Sequence, residues 1–446
     1  MNSNSNKHKK PKDRWLDHWL IAQGEPLKRL VSTHALKVAN TEKRKRKRSL
    51  KHQAAFDRAI EVLVVNLAYL VVRPSNTGCL ALIQDDAHGL TRYEHPSLTI
   101  STIRKALRLL KGDVLTVRGG RCGIRTSTIR PTEAFIGEVE RCGIEPSDFG
   151  RDLDEEVVIL GITYRYIVRR DEAPIKRRHQ VNYKTDDACV AHDRAWVRSL
   201  NGLLNSSDLA FIDDGLAPKV CTEDRTMCRI FTTMDALDIR WDLNGRLFGG
   251  YWQNLRKDRR QHLRINGEPI SDLDYKNAFA RLAYIHMDQK PPEGDLYDLT
   301  GILAGYDMEH PTHRDGVKAG FNALLNSGAA DVPEILQDLP EGTTAEALRK
   351  ALAIKHPGLV GAFRTNLGLK LMFTESTILM NALDKLMAQG IVALGMHDGV
   401  MVAESNQEAA RKAMEAASEE VLGIALVVVS KAPLGLLGHR GVLLAA

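Results

Sequence analysis

The chain has 446 residues, of which 43% are hydrophobic and 26% charged, with a net charge of +6, the balance of an ordinary globular protein long enough for more than one core. No apolar run approaches the roughly 20 residues that span a bilayer, and Met1-Asn-Ser-Asn-Ser-Asn-Lys7 lacks the apolar core of a signal peptide, so the reading is cytoplasmic with no membrane partner. The six cysteines (Cys79, Cys122, Cys142, Cys189, Cys221 and Cys228) show no CxxC spacing, which argues against structural zinc and for reduced thiols.

Residues 1–52 hold fifteen Lys or Arg against Asp13, Asp17, Glu25 and Glu42, six of them consecutive in Lys43-Arg-Lys-Arg-Lys-Arg48, while the rest of the chain is net acidic. Such a block repels itself and attracts phosphate backbones through counterion release. The segment reads as a mobile basic arm that contacts nucleic acid, a solubilising tail or nuclear address being the plainer alternative. From residue 53 the pattern is helical, with Phe56, Ile60, Leu63, Leu67 and Leu70 at steps of four and three. A second helix is predicted over Leu98 to Leu110. Its apolar positions are Ile103, Ala106, Leu107 and Leu110, and Arg104, Lys105 and Arg108 form a basic opposite face.

Strand-like Val114-Leu-Thr-Val117, the turn Arg118-Gly-Gly-Arg121 and a β-prone stretch to Ile129 follow. Helix, strand, basic glycine turn and strand is the order of a winged helix-turn-helix, in which a helix enters a major groove and the wing touches phosphate. Residues 53–150 resemble the winged-helix domains of plasmid and phage replication initiators in this arrangement, and Arg104, Lys105, Arg108, Arg118 and Arg121 are the expected DNA contacts. Residues 151–235 read as a connecting or thumb-like region. It has strand-like stretches at Glu156–Leu160 and Tyr164–Val168 and a helix around Trp196 to Leu204.

The chemistry is concentrated in residues 236–446. Asp274, in Ile270-Ser-Asp-Leu-Asp-Tyr275, and Asp398, in Gly395-Met-His-Asp-Gly399, each end a strand-like apolar stretch. Between them Arg314 and Lys318 lie one helical turn apart. Two carboxylates for a metal pair and a basic helix face for a triphosphate are what nucleotidyl transfer requires. Taken alone, Asp274 could instead cap a helix.

Six segments occur in a telling order: Gly245-Arg246-Leu247-Phe248-Gly249-Gly250 with Gln253-Asn254-Leu255; Asp274-Tyr-Lys-Asn-Ala-Phe279-Ala-Arg281; Gly294-Asp-Leu-Tyr297; the helix Thr312 to Asn326; Glu375-Ser-Thr-Ile378; and Met396-His397-Asp398-Gly399. Together they resemble the palm and fingers motifs of family A DNA polymerases and of the related single-subunit RNA polymerases. The resemblance implies an α+β fold: an antiparallel palm sheet with helices and reduced helical fingers, preceded by the winged helix. It implies that Asp274 and Asp398 bind two Mg²⁺ ions, or Mn²⁺ in their place, and that Arg314 and Lys318 grip the triphosphate, with Lys318 a proton donor to pyrophosphate. It assigns Tyr297 to the nucleotide, and Arg246, Gln253, Asn254, Glu375 and His397 to the primer–template.

Four positions that bear on base, metal and sugar depart from that family's pattern. Asn322 and Asn326 stand where aromatic rings stack on the base, which suggests hydrogen bonding to the nucleotide instead. Gly399 replaces a glutamate. Phe279 stands where DNA polymerases place a glutamate against the ribose 2′-hydroxyl, so its bulk predicts a preference for dNTPs, unless the ring is core. No room remains for a proofreading exonuclease domain ahead of residue 236. The expected activity is primer extension on DNA during replication of a mobile element, plasmid or phage, in a bacterial or phage-infected cell and at the nucleoid. A replication origin or another specific duplex site is the expected target of the winged helix. The alternatives are an initiator with a catalytically inactive palm, and a primase or RNA polymerase-like enzyme using NTPs.

Overall fold

The computed structural model describes residues 13–42, 44, 46–73, 79–82, 91–120, 127–166, 175–183, 188–217, 219–326 and 336–431. The fold is α+β, and the chain divides into two units, Met1–Glu156 with Asp213–Asp224, and Val157–Ile212 with Arg225–Ala446. Among the described residues no helix is long and apolar enough to cross a membrane.

The first unit begins with β1 (Arg14–Trp15), β2 (Leu20–Ala22) and helix α1 (Glu25–Thr41). Leu27, Leu30, His34 and Val38 recur on α1 every three or four residues and are buried, the pattern of a helix with one face on a core. This corrects the mobile arm expected over residues 1–52: from residue 13 to 42 the chain is built into the unit, with α1 packed on α2 (Leu50–Val72). The end of the basic block is also tied down. Arg48 lies 3.7 Å over the Phe56 ring and pairs with Glu42 at 2.6 Å.

Helix α2 is buried almost all round between Phe56 and Tyr69, because α1, α3 (Ile100–Leu110) and α4 (Glu133–Arg141) all pack on it. Strand β3 (Leu80–Leu82) precedes α3, and β4 (Leu115–Arg118) and β5 (Ser127–Pro131) follow it. The sheet order is β1-β3-β5-β4, with β5 antiparallel to both neighbours. Helix α3 starts two residues inside the stretch predicted over Leu98 to Leu110, because the Thr99 hydroxyl accepts the Thr102 N–H at 3.1 Å and caps it, and Ile103, Ala106, Leu107 and Leu110 are buried. Strand β6 (Phe149–Arg151) pairs with β2.

The stretch expected as a connector over 151–235 instead supplies strands and a helix to the second unit, with Asp213–Asp224 assigned to the first. Strands β7 (Val158–Tyr166) and β8 (Ile175–Gln180), helix α5 (Ala188–Ser206), and strands β9 (Leu209–Phe211) and β10 (Cys228–Thr232) lie in it. With β11 (Asn244–Phe248), strands β7, β8 and β10 form a sheet of order β11-β10-β7-β8, whereas β9 belongs to the other sheet of the unit. A second sheet is centred on β13 (Glu268–Tyr275), after β12 (Leu263–Ile265). Helices α6 (Ala278–His286), α7 (His313–Asn326), α8 (Ala345–Lys355) and α9 (Leu367–Met387) follow. The chain then forms the hairpin β14 (Ala393–Met396) and β15 (Gly399–Ala403), helix α10 (Gln407–Leu422) and strand β16 (Val428–Ser430). Strand β13 is antiparallel to β12, β15 and β16. Helix α9 packs on α10, β11, α6 and α7.

His356 is fully buried beneath α7, its ring 5.1 Å from that of Phe321. Its Nε2 lies 2.9 Å from the Leu296 carbonyl and its Nδ1 2.9 Å from the Tyr284 hydroxyl, so Nε2–H donates and Nδ1 accepts in the neutral ring. Burial lowers the imidazole to about 4, against a smaller pull from the Leu296 carbonyl. The unfolded chain therefore takes up a proton near pH 6.5 that the folded chain refuses. The stability this residue contributes is complete above about pH 6.5 and is lost as pH falls towards 4, by about 3 kcal/mol. Urea unfolding at pH 7.5 and 4.5 should show this loss. His356→Gln should flatten it, and an unchanged slope in the variant would show that other groups cause it.

Candidate functional site

Register brings the two aspartates together. Asp274 lies opposite Gly399 on the β13–β15 ladder, and the β14–β15 hairpin turns through His397 and Asp398 between the paired Met396 and Gly399. His397 holds φ +49°, a left-handed conformation that costs a non-glycine residue energy and often marks a functional turn. Gly399 has a steric reason to be glycine. A Cβ there would lie 2.3 Å from the Leu273 carbonyl oxygen and 3.3 Å from Asp274 Oδ1, so the glutamate of the resembled family has no room. Asp274 does not cap a helix. It lies inside the strand, one residue before its end, and Asn277, at φ +54°, stands at the cap position of α6.

Burial, then the neighbouring Asp398 charge, push the Asp274 carboxyl up to about 7, with Lys431 pulling the other way. Lys431 Nζ is 2.6 Å from Asp274 Oδ2 and 3.5 Å from Asp272 Oδ1. Among the described residues Asp274 Oδ1 is buried with no hydrogen-bond donor. Two close carboxylates, one with an orphaned oxygen, are an all-oxygen donor set that fits a hard divalent cation. Among the described residues no group of three or more His, Cys, Asp or Glu forms a metal cage. The pair is an open site, where Mg²⁺ would take its other ligands from phosphate and water.

Two cationic groups flank the pair. Arg246 Nε donates to Glu375 Oε2 at 2.6 Å. Burial pushes the Glu375 carboxyl up to about 7, Arg246 pulls it back, and Asp398 and Asp274 add to the rise, which places this ion pair beside the aspartates. On α7, Arg314 is held by Asp295 (Nε to Oδ2, 2.9 Å) and by Asn277 (Nη2 to Oδ1, 2.9 Å), 5.4 Å over the Tyr297 ring. Tyr297 is buried, and its hydroxyl feels Arg314, Asp398 and Asp295 together. Lys318, one turn on and half-buried, makes no ion pair or hydrogen bond among the described residues.

The other expected site residues have surroundings of their own. Gln253 is a brace: its amide donates to the Leu247 and Gly395 carbonyls at 3.1 and 3.2 Å and accepts from the Gly249 N–H. Asn254 is exposed beside it. Asn326 donates to the Asn322 carbonyl at 2.9 Å, and its side chain fills the space over Gly368 of α9. Asn322 Oδ1 is buried without a donor among the described residues. Phe279 is buried in the first turn of α6.

In the first unit the basic face of α3 is partly neutralised. Lys105 pairs with Glu42 at 2.6 Å, and Arg104 lines a small cavity with Leu16, His18 and Glu94. Arg108 and Arg118 are exposed, and Arg121 lies outside the described residues. Sequence reasoning missed Lys431, Asp295 and Asn277. Asp295 stood inside a quoted motif, whereas Lys431 follows the last strand with no local signal. No protein-family model and no curated protein matches the chain.

Proposed function

We propose that the second unit is a template-directed DNA polymerase of family A type, without proofreading, that extends a primer with dNTPs. One observation carries the reading. Two aspartates far apart in sequence meet at one end of an antiparallel sheet, beside a helix that presents Arg314 and a Lys318 with no partner among the described residues. Asp274 and Asp398 would hold Mg²⁺. When bound, the metal supplies Lewis acidity that lowers the pKa of a primer 3′-hydroxyl and neutralises charge on the phosphates. Arg314, fixed by Asp295 and Asn277, presents a guanidinium of set orientation to a phosphate. Lys318 is left to meet a second phosphate group and to give its proton to the leaving pyrophosphate. Arg246, aligned by Glu375, faces the primer end.

The first unit is proposed as a winged helix. Its support is the order β3-β5-β4 with α3 between β3 and β4, and Arg108 and Arg118 exposed. Both activities in one chain suit replication that starts at a specific duplex site in a mobile element, plasmid or phage. A second reading, an initiator with a silent catalytic site, is favoured by the missing aromatic rings at Asn322 and Asn326. Primer extension with Mg²⁺ on primed and unprimed DNA, with dNTPs or NTPs, separates the readings. Extension of the primed template by dNTPs is expected. Efficient NTP use would overturn the Phe279 argument, and duplex binding without extension would favour the initiator.

A further inference from the structure

Asp272 and Asp274 are two residues apart on β13 and so project from the same face of the sheet. Strand β16 ends with Ser430 opposite Leu273, and the Lys431 N–H donates to the Asp272 carbonyl at 2.8 Å. The ladder thus anchors the Lys431 backbone beside both carboxylates. Its ammonium is 2.6 Å from Asp274 and 3.5 Å from Asp272. Asp272 has a further cation, Arg260, at 3.7 Å, while no cation other than Lys431 pairs with Asp274 among the described residues.

This arrangement has a consequence for any divalent ion at Asp274 and Asp398. The oxygen Asp274 Oδ2 is already occupied by an ammonium, and a second cation beside it meets like-charge repulsion in a partly buried site where screening is weak. Asp272 offers the ammonium a second acceptor on the same face, reachable by rotation about the side-chain bonds. We propose that Lys431 is a resident counter-cation of the aspartate pair: it neutralises Asp274 when the metal is absent and shifts to Asp272 when a divalent ion enters. Lys431 is thus a positioning residue that sets metal affinity. The inference rests on the metal-binding part of the proposed function, not on polymerase activity.

The test is Mn²⁺ binding to the full chain, followed by electron paramagnetic resonance of the free ion, with thermal melting alongside. Lys431→Met should bind Mn²⁺ about tenfold or more tightly than the wild type. It should also melt lower without Mn²⁺ and regain that loss when Mn²⁺ is added, whereas Lys431→Arg should keep wild-type affinity. Lys431→Gln, which leaves a polar side chain at the strand end, serves if the Met variant does not fold. Affinity that is unchanged or weaker in both uncharged variants would overturn the proposal, leaving Lys431 a structural ion pair. Absence of Mn²⁺ binding in every form would overturn both the proposal and the metal assignment. Mn²⁺ binding that follows the expected order in a protein that extends no primer would sustain this inference and sink the polymerase reading.

Discussion

Asp274→Asn and Asp398→Asn are each expected to lower primer extension by about a thousandfold or more while leaving the fold in place. Each substitution keeps the size of the side chain and removes one anionic oxygen from a site where no third carboxylate stands in among the described residues. Lewis-acid stabilisation of a reacting phosphoryl group is worth several kcal/mol, and about 4 kcal/mol corresponds to roughly a thousandfold in rate. The fold should tolerate both changes, because Asp274 is held in the ladder by its backbone and Asp398 sits in a two-residue turn. In Asp274→Asn, Lys431 loses its shorter contact but keeps Asp272. Single-turnover extension with Mg²⁺ measures the effect, with circular dichroism and duplex binding as controls. Activity within tenfold of the wild type in either variant would remove that residue from the metal site.

What the sequence made legible is what depends on local pattern. The apolar stripe of α3 can be read from four residues. Asp274 and Asp398 are equally visible, because a carboxylate that closes a run of apolar residues stands out. The pairing of the two is not local, since it follows from the register of β13 on β15. Lys431 was hidden for the same reason: only the β13–β16 ladder brings it to Asp272 and Asp274. The basic arm was misread because charge was weighed above periodicity. Leu27, Leu30, His34 and Val38 carry a helical stripe inside a cation-rich segment. Asn326 was assigned by helical spacing alone, and spacing cannot show that Gly368 leaves a gap for its side chain.

Asp193→Ala is expected to cost about 3–5 kcal/mol, the loss typical of removing one partner from a buried ion pair. Asp193 on α5 accepts from Arg229 Nη1 at 2.5 Å, and both residues are buried. Arg229 Nε donates to the Gly245 carbonyl at 2.9 Å, and its guanidinium lies 4.7 Å over the Phe231 ring and 5.8 Å over Phe373. Burial alone already pulls the Arg229 guanidinium below its usual range, and Asp193 is what opposes that. Without Asp193 the charge stays buried between aromatic rings with a carbonyl as its remaining acceptor in this contact. The double variant Asp193→Ala/Arg229→Met should recover most of the loss, because a linear apolar side chain suits the space between Phe231 and Phe373. Urea unfolding measures both, and a single variant within about 1 kcal/mol of the wild type would show that the pair is solvated. The effect should also reach the site. Gly245, at φ +70°, would place a Cβ 3.1 Å from Phe373 and 3.3 Å from Arg229, and its carbonyl also accepts from the Ser376 hydroxyl. The next residue is Arg246, whose partner Glu375 precedes Ser376. Loosening Arg229 therefore loosens the strand that aims Arg246, and primer extension should fall in Asp193→Ala even at temperatures where the variant is fully folded.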